Sequence, residues 1–243
     1  MSNTMAVTQK PAYGIDTNDI STRQNISVIG DLGLIGNSDL TYEQILYLPL
    51  KRIIDMIASL VGLIFCLPIF FVVAAAIKLD SPGPVFFRQK RAGINGSYFS
   101  IFKFRSMVIE AENIKDSLYA MNENDGPFFK MKNDPRVTRV GKFIRKYSID
   151  ELPQLINVFL GHMSLVGPRP ALPNEIQQYT QSQLKNLSVV PGITCFWQIS
   201  GRSDSSGNRL DLDTKYLNEF NFFTDLWILL KTPMAVIKAK GAC

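Results

Sequence analysis

The stretch MIASLVGLIFCLPIFFVVAAAI, Met56 to Ile77, carries no charged residue. As a straight helix it would cover ~33 Å at 1.5 Å per residue, about the thickness of a bilayer core. A helix of a soluble protein rarely stays apolar on every face for that length. Pro68 sits in its middle, where a proline costs a helix roughly 3 kcal/mol unless a bend is wanted. Basic residues flank both ends, Lys51 and Arg52 before it and Lys78, Arg88, Lys90 and Arg91 after it. Positive charge favours the cytoplasmic side. Cations at both ends therefore suit a segment that dips into the membrane and returns to the side it came from. The arm after Pro68 is too short to span alone. The expectation is a re-entrant membrane helix over residues 48–80, broken at Pro68.

The rest of the chain has to be read around that element. The chain has 243 residues, 46% of them hydrophobic and 19% charged, and a formal net charge of +5. The surplus points to anionic partners: phosphorylated substrates, anionic lipid or nucleic acid. The one histidine, His162, gives a Ser-His-Asp triad or a multi-His metal site little to work with. Cys66, Cys195 and Cys243 are far apart and form no C-x-x-C pair, so neither a disulfide framework nor a zinc site is indicated. No secretory leader pattern opens the chain.

Residues 1–47 read as a polar, largely disordered tail. They hold ISVIGDLGLIGN, whose Gly30, Gly33 and Gly36 have the wrong spacing for a dinucleotide fingerprint. Thr41 and Gln44 are placed as a capping box. Residues 81–243 read as a small catalytic domain. VFFRQKR and SYFSIFKF form two strands of a β-hairpin joined through Asn95-Gly96. VIEAENIKDSLYAM reads as an amphipathic helix. GKFIRKYS reads as another, with Val140, Phe143, Ile144 and Tyr147 on one face and Arg139, Lys142 and Lys146 on another. The late stretch NFFTDLWILLKTPMAVIKAKG has a broad apolar stripe with Lys, suiting either a core helix or one at a membrane surface.

In KYSIDELPQLINVFLGHMSLVGPRP, Lys146 to Pro170, two carboxylates stand together at Asp150 and Glu151. Ser148-x-x-Glu151 fits a capping box, and acidic residues favour the first turn of a helix. Capping alone accounts for less than the whole pattern. The basic run KMKNDPRVTRVGKFIRK ends beside the pair, and Arg169 follows between two prolines, as suits a guanidinium forked onto phosphate. A carboxylate among cations stays ionised and acts as a nucleophile on phosphorus. A divalent cation screens the repulsion between the pair and the phosphates.

The blocks KRIIDMIASL, DSPGPVFFRQKRAG, FSIFKFRSM, NDPRVTRVGKFIRKYSIDELPQLINVFLGHMSLVGPRP and PGITCFWQISGR together resemble the bacterial sugar transferases that are monotopic phosphoglycosyl transferases. They run in the family's order from about residue 50 to the C-terminus. The resemblance implies an α/β, mostly helical monotopic membrane protein on the cytoplasmic face of the inner membrane. It implies transfer of a hexose 1-phosphate from a UDP-sugar to a polyprenyl phosphate, releasing UMP, as the first membrane step of exopolysaccharide, capsule or O-antigen assembly. Asp150 matches the family's covalent nucleophile and a metal position. Glu151 matches its partner. Lys103, Arg145 and Arg169 match phosphate-binding positions, and Pro68 matches the break in the membrane helix. Mg²⁺ is the implied cofactor. The implied partners are the UDP-sugar, polyprenyl phosphate and inner-membrane lipids, with a homodimer as a candidate assembly and no nucleic acid.

The chain departs from the pattern in two ways. Larger members carry four further spans and a soluble domain in front, so the resemblance is to the minimal catalytic form with a tail. Cys195 stands where relatives have Gly, which touches the backbone of that loop. Three other readings fare worse. A non-enzymatic membrane scaffold needs neither the dyad nor Arg169. Nucleic-acid binding lacks interleaved aromatics and known motifs. A glycosidase needs carboxylates about 5 Å or more apart across a sugar, which sequence neighbours do not provide.

Overall fold

The computed structural model describes residues 40–123, 131, 133–201 and 206–238. The glycine-bearing stretch at 27–37 and Cys243 lie outside them. The first element is one long helix, α1, over Tyr42–Asp80. Thr41 caps it as expected: its Oγ1 accepts from Gln44 N at 3.3 Å, and Gln44 Oε1 accepts from Thr41 N at 2.9 Å. The helix therefore begins inside residues 1–47, the span read as tail. Pro49 and Pro68 both lie inside α1. Pro68 does not end the helix, since a proline can bend a helix without ending it.

One stripe of α1 faces protein along most of its length. Gln44, Lys51, Asp55, Ser59, Val73 and Ile77 are buried at helical spacing. The early half is tied by polar contacts. Gln44 Nε2 donates to Leu217 O at 3.0 Å, Arg52 donates to the carbonyls of Val158 and Phe159 at 2.6 and 2.8 Å, and Asp55 Oδ1 accepts from Leu165 N at 3.0 Å. The late half is tied by packing. Phe70, Val73 and Ile77 meet Phe104 and Ile144, and Asp80 accepts from Val140 N at 2.9 Å. The opposite face is apolar and exposed, Phe65 at 78% and Phe71 at 75%.

The hairpin forms as expected, with β1 (Phe86–Ala92) antiparallel to β2 (Tyr98–Phe104). Its turn places Asn95 at φ 54° and Gly96 at φ 71°, the left-handed region that Asn and Gly tolerate best. The outer edge of β2 is closed by the fully buried Asn157: its Oδ1 accepts from Phe102 N at 2.9 Å, and its Nδ2 donates to Ser100 O at 2.8 Å. The expected helix over 108–121 is shorter. Met107 bridges Val137, and Val108 N donates to Arg136 O, so helix starts only at Ala111–Lys115 and tightens into a 3₁₀ turn, Asp116–Met121.

Helix α2 (Arg139–Lys146) matches GKFIRKYS, but its apolar face splits: Ile144 is buried and Phe143 is exposed. Helix α3 (Gln154–Leu160) follows and ends at Gly161, φ 89°. A parallel pair, β3 (Ser164–Val166) with β4 (Gly192–Thr194), went unread in the sequence, because strands this short carry no periodic signal. A Cβ on Gly192 would lie 2.0 Å from Gly167 N, so the strands approach only with glycine there. Helices α4 (Ser206–Glu219) and α5 (Phe222–Lys238) complete the chain. Tyr216, Leu217, Phe220 and Ile228 pack with Val166, Val189 and Phe196 into the largest core cluster. The outer face of α5 keeps Phe223, Leu230 and Ile237 exposed, so one side of the stripe packs in the core and the other is left open.

Lys51→Met removes the cation paired with the buried Asp225 carboxylate. It should cost about 3–5 kcal/mol, because a buried charge is left unpaired. A lowered thermal unfolding midpoint of the detergent-solubilised chain checks this. Adding Asp225→Leu should recover part of the loss.

Candidate active site

The dyad is placed by the joint between α2 and α3. Ser148 adopts φ 54° and ψ 21°, which turns the chain sharply, and Ile149–Glu151 form a single 3₁₀ turn. Ser148 makes no side-chain cap, and α3 begins only after Pro153. The expected capping box does not form, because the left-handed Ser148 points the chain away from helix geometry. With that role gone, capping no longer accounts for the two carboxylates. Asp150 is buried at 8% exposure, and Glu151 is half-buried.

Lys103 reaches the dyad from β2. Its Nζ lies 2.6 Å from Glu151 Oε1. Arg145, in the last turn of α2, acts on Asp150 through charge. Burial pushes the Asp150 carboxyl up to about 6. Lys103 pulls it back, Glu151 pushes it further up, and Arg145 pulls it back again. The turn therefore holds a carboxylate whose ionised form depends on two nearby cations. Four residues expected from sequence, Lys103, Arg145, Asp150 and Glu151, are thus brought together.

Arg169 belongs to a neighbouring group. Its Nη1 donates to Glu175 Oε2 at 3.2 Å, and Glu175 also accepts from Leu172 N at 2.8 Å. The backbone N–H of Arg169 donates to the buried Asp213. Strand β1 grips the same loop: Arg91 Nη1 donates to Pro170 O at 3.0 Å, and Ala92 N donates to Ala171 O at 2.9 Å. Arg209, on α4, lies 4.8 Å from the ring of Trp197. Burial, joined by the like charge of Arg169, lowers Arg91 to about 9 and Arg209 to about 10. Burial raises Asp213 to about 7, against the pull of Arg209 and Arg169. Arg91 feels the charges of both Arg169 and Glu151.

Arg91, Glu175, Arg209 and Asp213 were missed in the sequence. A signal existed for two of them. Arg209 and Asp213 fall at i and i+4 on the face of α4 that continues to Tyr216, Leu217 and Phe220, all buried. Charged residues on a core-facing stripe mark a buried polar site. Not every cation of the basic run joins the site. Arg136 is locked to Asp134 by a bidentate pair, with Nη2–Oδ2 at 2.7 Å, and also donates to Ala111 O. Lys142 and Lys146 lie on the solvated face of α2.

Among the described residues no three His, Cys, Asp or Glu side chains gather as a metal cage. Mg²⁺ does not demand one, since it is held by one or two carboxylates with substrate phosphates and water completing its shell. Asp150 and Glu151 in one turn fit that partial set. Cys195 has an extended backbone, φ −154°, so the position calls for no glycine. It is buried, and burial pushes its thiol up to about 12.

Lys103→Met removes a charge that stabilises ionised Asp150. Its pKa should rise above about 6. Carboxyl ¹³C shifts of labelled aspartate followed against pH read this directly, and an unmoved or lowered midpoint would contradict the placement of Lys103.

The profile of the family described as Bacterial sugar transferase matches residues 46–239. The chain is 43% identical over 213 residues to the galactosyl transferase CpsE of Streptococcus agalactiae, covering 85% of this chain and 47% of that one. It is 40% identical over 197 residues to the exopolysaccharide production protein ExoY of Rhizobium meliloti, covering 79% and 87%. It is 40% identical over 201 residues to the undecaprenyl-phosphate galactose phosphotransferase of Salmonella typhimurium, covering 79% and 41%. The chain thus spans less than half of two of these relatives and most of the third. A match over residues 46–239 takes in the membrane-type helix, the hairpin, the dyad and the Arg169 loop together, and the chain belongs to the bacterial sugar transferase family.

Proposed function

We propose that the chain transfers a hexose 1-phosphate from a UDP-sugar to undecaprenyl or a related polyprenyl phosphate, releasing UMP, in the assembly of a surface polysaccharide. The observation that carries this is the Asp150 carboxylate, buried in a tight turn beside the Lys103–Glu151 pair and under the charge of Arg145. Relatives named for undecaprenyl-phosphate galactose and glucose phosphotransfer support the substrate class.

In the proposed reaction a carboxylate oxygen of Asp150 bonds to the phosphorus that carries the sugar. The phosphoanhydride bond breaks, and its electron pair leaves on the phosphate of UMP. An oxygen of the lipid phosphate then bonds to the same phosphorus, and the acyl-phosphate bond returns its pair to Asp150. Lys103 and Arg145 stabilise charge on the phosphoryl oxygens in a site where they need not reorganise. Glu151 holds Lys103 in place. Asp150 and Glu151 would hold Mg²⁺, which would further neutralise the phosphates.

The membrane placement belongs to the same proposal. The exposed apolar faces of α1 and α5 suit a lipid surface. Both ends of α1 hold to the same domain, through Gln44 at one and Asp80 at the other. A straight crossing would carry one end away from it. That supports a re-entrant helix seated from the cytoplasmic side, bent at Pro68, with the site at the bilayer surface where the lipid phosphate lies.

Asp150→Asn keeps size and loses the attacking charge, so turnover should fall by at least about 10³-fold, within the range for removing a nucleophile. In the native chain, UMP should appear without lipid acceptor up to one equivalent per enzyme, then turn over with ping-pong kinetics once lipid is added. A strict need for both substrates before any UMP appears would refute the covalent route. For topology, Cys66, Cys195 and Cys243 are replaced and a single thiol is introduced by Ser27→Cys. A membrane-impermeant thiol reagent should leave intact cells unlabelled, and labelling would refute the re-entrant arrangement.

A further inference from the structure

Successive residues of β1 point to opposite sides of the hairpin. Arg88 and Lys90 are exposed, and each lies over a ring of β2, Phe102 at 4.9 Å and Tyr98 at 4.4 Å. Gln89 and Arg91 share the other face with Phe99, Ile101 and Lys103, by the register that pairs Gln89 with Ile101 and Arg91 with Phe99. That face looks into the domain, since Ile101 packs with Val158 and Met163. Lys103 follows Ile101 by two residues, so it is the diagonal neighbour of Gln89, about 7–8 Å away between Cα atoms and within reach of long side chains. On its other side Gln89 meets Arg91, whose Nη2 donates to Gln89 Oε1 at 2.7 Å. Arg91 in turn donates to Pro170 O at 3.0 Å. Strand register and hydrogen bonds thus place Gln89 between the cation that touches the dyad and the cation that grips the Arg169 loop.

Arg91 also fixes which way the Gln89 amide points. A guanidinium only donates, so it takes the carbonyl end of the amide and leaves the NH₂ end turned away from it. Among the described residues that end has one contact, Glu112 Oε1 at 3.4 Å, long for a hydrogen bond and with an exposed partner. Holding Arg91 alone would favour a different residue at this position. Arg91 is 6% exposed, and both acceptors it binds, Pro170 O and Gln89 Oε1, are neutral. A carboxylate at 89 would pair with that buried charge. The amide gives up the pairing and supplies two N–H donors beside Lys103 instead. Donors fixed in direction next to a cation suit the oxygens of a phosphate group.

We infer that Gln89 contacts the substrate: its Nε2 donates to a non-bridging oxygen of the sugar nucleotide's diphosphate while Lys103 and the dyad hold that diphosphate. Arg91 is the positioning residue that sets the amide. Glu112 takes the donor when the site is empty. The inference deepens the reading of a UDP-sugar donor and rests on it.

The test is binding without turnover. Asp150→Asn in lipid nanodiscs with Mg²⁺ is the parent chain, titrated calorimetrically with UDP. Gln89→Glu in that background keeps an acceptor for Arg91 and removes both N–H donors. It should raise the Kd of UDP about tenfold or more, as for a lost hydrogen bond to a charged group, while the thermal unfolding midpoint stays at or above the parent's. Gln89→Met loses the acceptor as well, and should weaken UDP with a lowered midpoint. Adding Glu112→Ala to Gln89→Glu returns the net charge to the parent's value and should leave UDP weak, because the donors are still missing. UDP bound by Gln89→Glu as tightly as by the parent, or restored by Glu112→Ala, would overturn the contact and leave Gln89 as a support for Arg91. UDP failing to bind the parent chain is a different result: it would sink the sugar-nucleotide reading, and the contact with it.

Discussion

The carboxylate of Asp225, 5% exposed, gathers Lys51 and Tyr47 from α1 and Tyr216 from α4. Tyr216 also donates to Val166 O at 3.1 Å, and Asp55 of α1 accepts from Leu165 N. Four elements, α1, α4, α5 and β3, meet at this one buried anion and its neighbours. Burying a charge is tolerable only when it is paired and fully hydrogen-bonded. The network therefore admits one arrangement of these elements and penalises others. Gly167, Pro168 and Arg169 follow directly from β3, so the place of the Arg169 loop depends on how α1 is docked.

A second constraint fixes the other half of the site. Asn157 closes the edge of β2 and thereby holds α3 against the strand that carries Lys103. The dyad lies just ahead of α3 in sequence, in a turn too tight to move independently. Lys103 thus reaches Glu151 because backbone hydrogen bonds of a strand edge are satisfied by a side chain three residues into the next helix. Strand β1 performs the same service for the Arg169 loop through Arg91 and Ala92. The hairpin is the common support of both charged groups. One strand presents Lys103 and the other grips Pro170 and Ala171.

The electrostatics follow from burial. Asp150 and Asp213 are both buried carboxyls raised by desolvation and restrained by cations. They differ in surroundings. Asp150 has a second carboxylate beside it in the chain, while Asp213 is set among arginines and hydrogen-bonded to the Arg169 backbone. The first arrangement suits a group whose charge is spent on a phosphorus atom. The second suits a group that holds a cation still.

By itself the sequence determined the elements whose physics is local or periodic. The uncharged run through Pro68 marks the membrane-type helix, Asn95-Gly96 marks the hairpin turn, and Thr41 with Gln44 marks the cap of α1. The dyad and Arg169 stood out because charges of one sign were crowded beside charges of the other. What it left open were choices made by contacts distant in the chain. Ser148 reads as a cap, yet it becomes a left-handed joint because α2 and α3 must both pack on the hairpin. Arg136 reads as one more cation of a phosphate-binding run, yet Asp134 takes it. Arg91 reads as a basic flank of the apolar run, yet it is buried, as is Arg209, because β1 and α4 turn those faces inward. Only tertiary structure decided which cations face the dyad, since desolvation and pairing depend on what packs over each side chain, and that is not written in its neighbours.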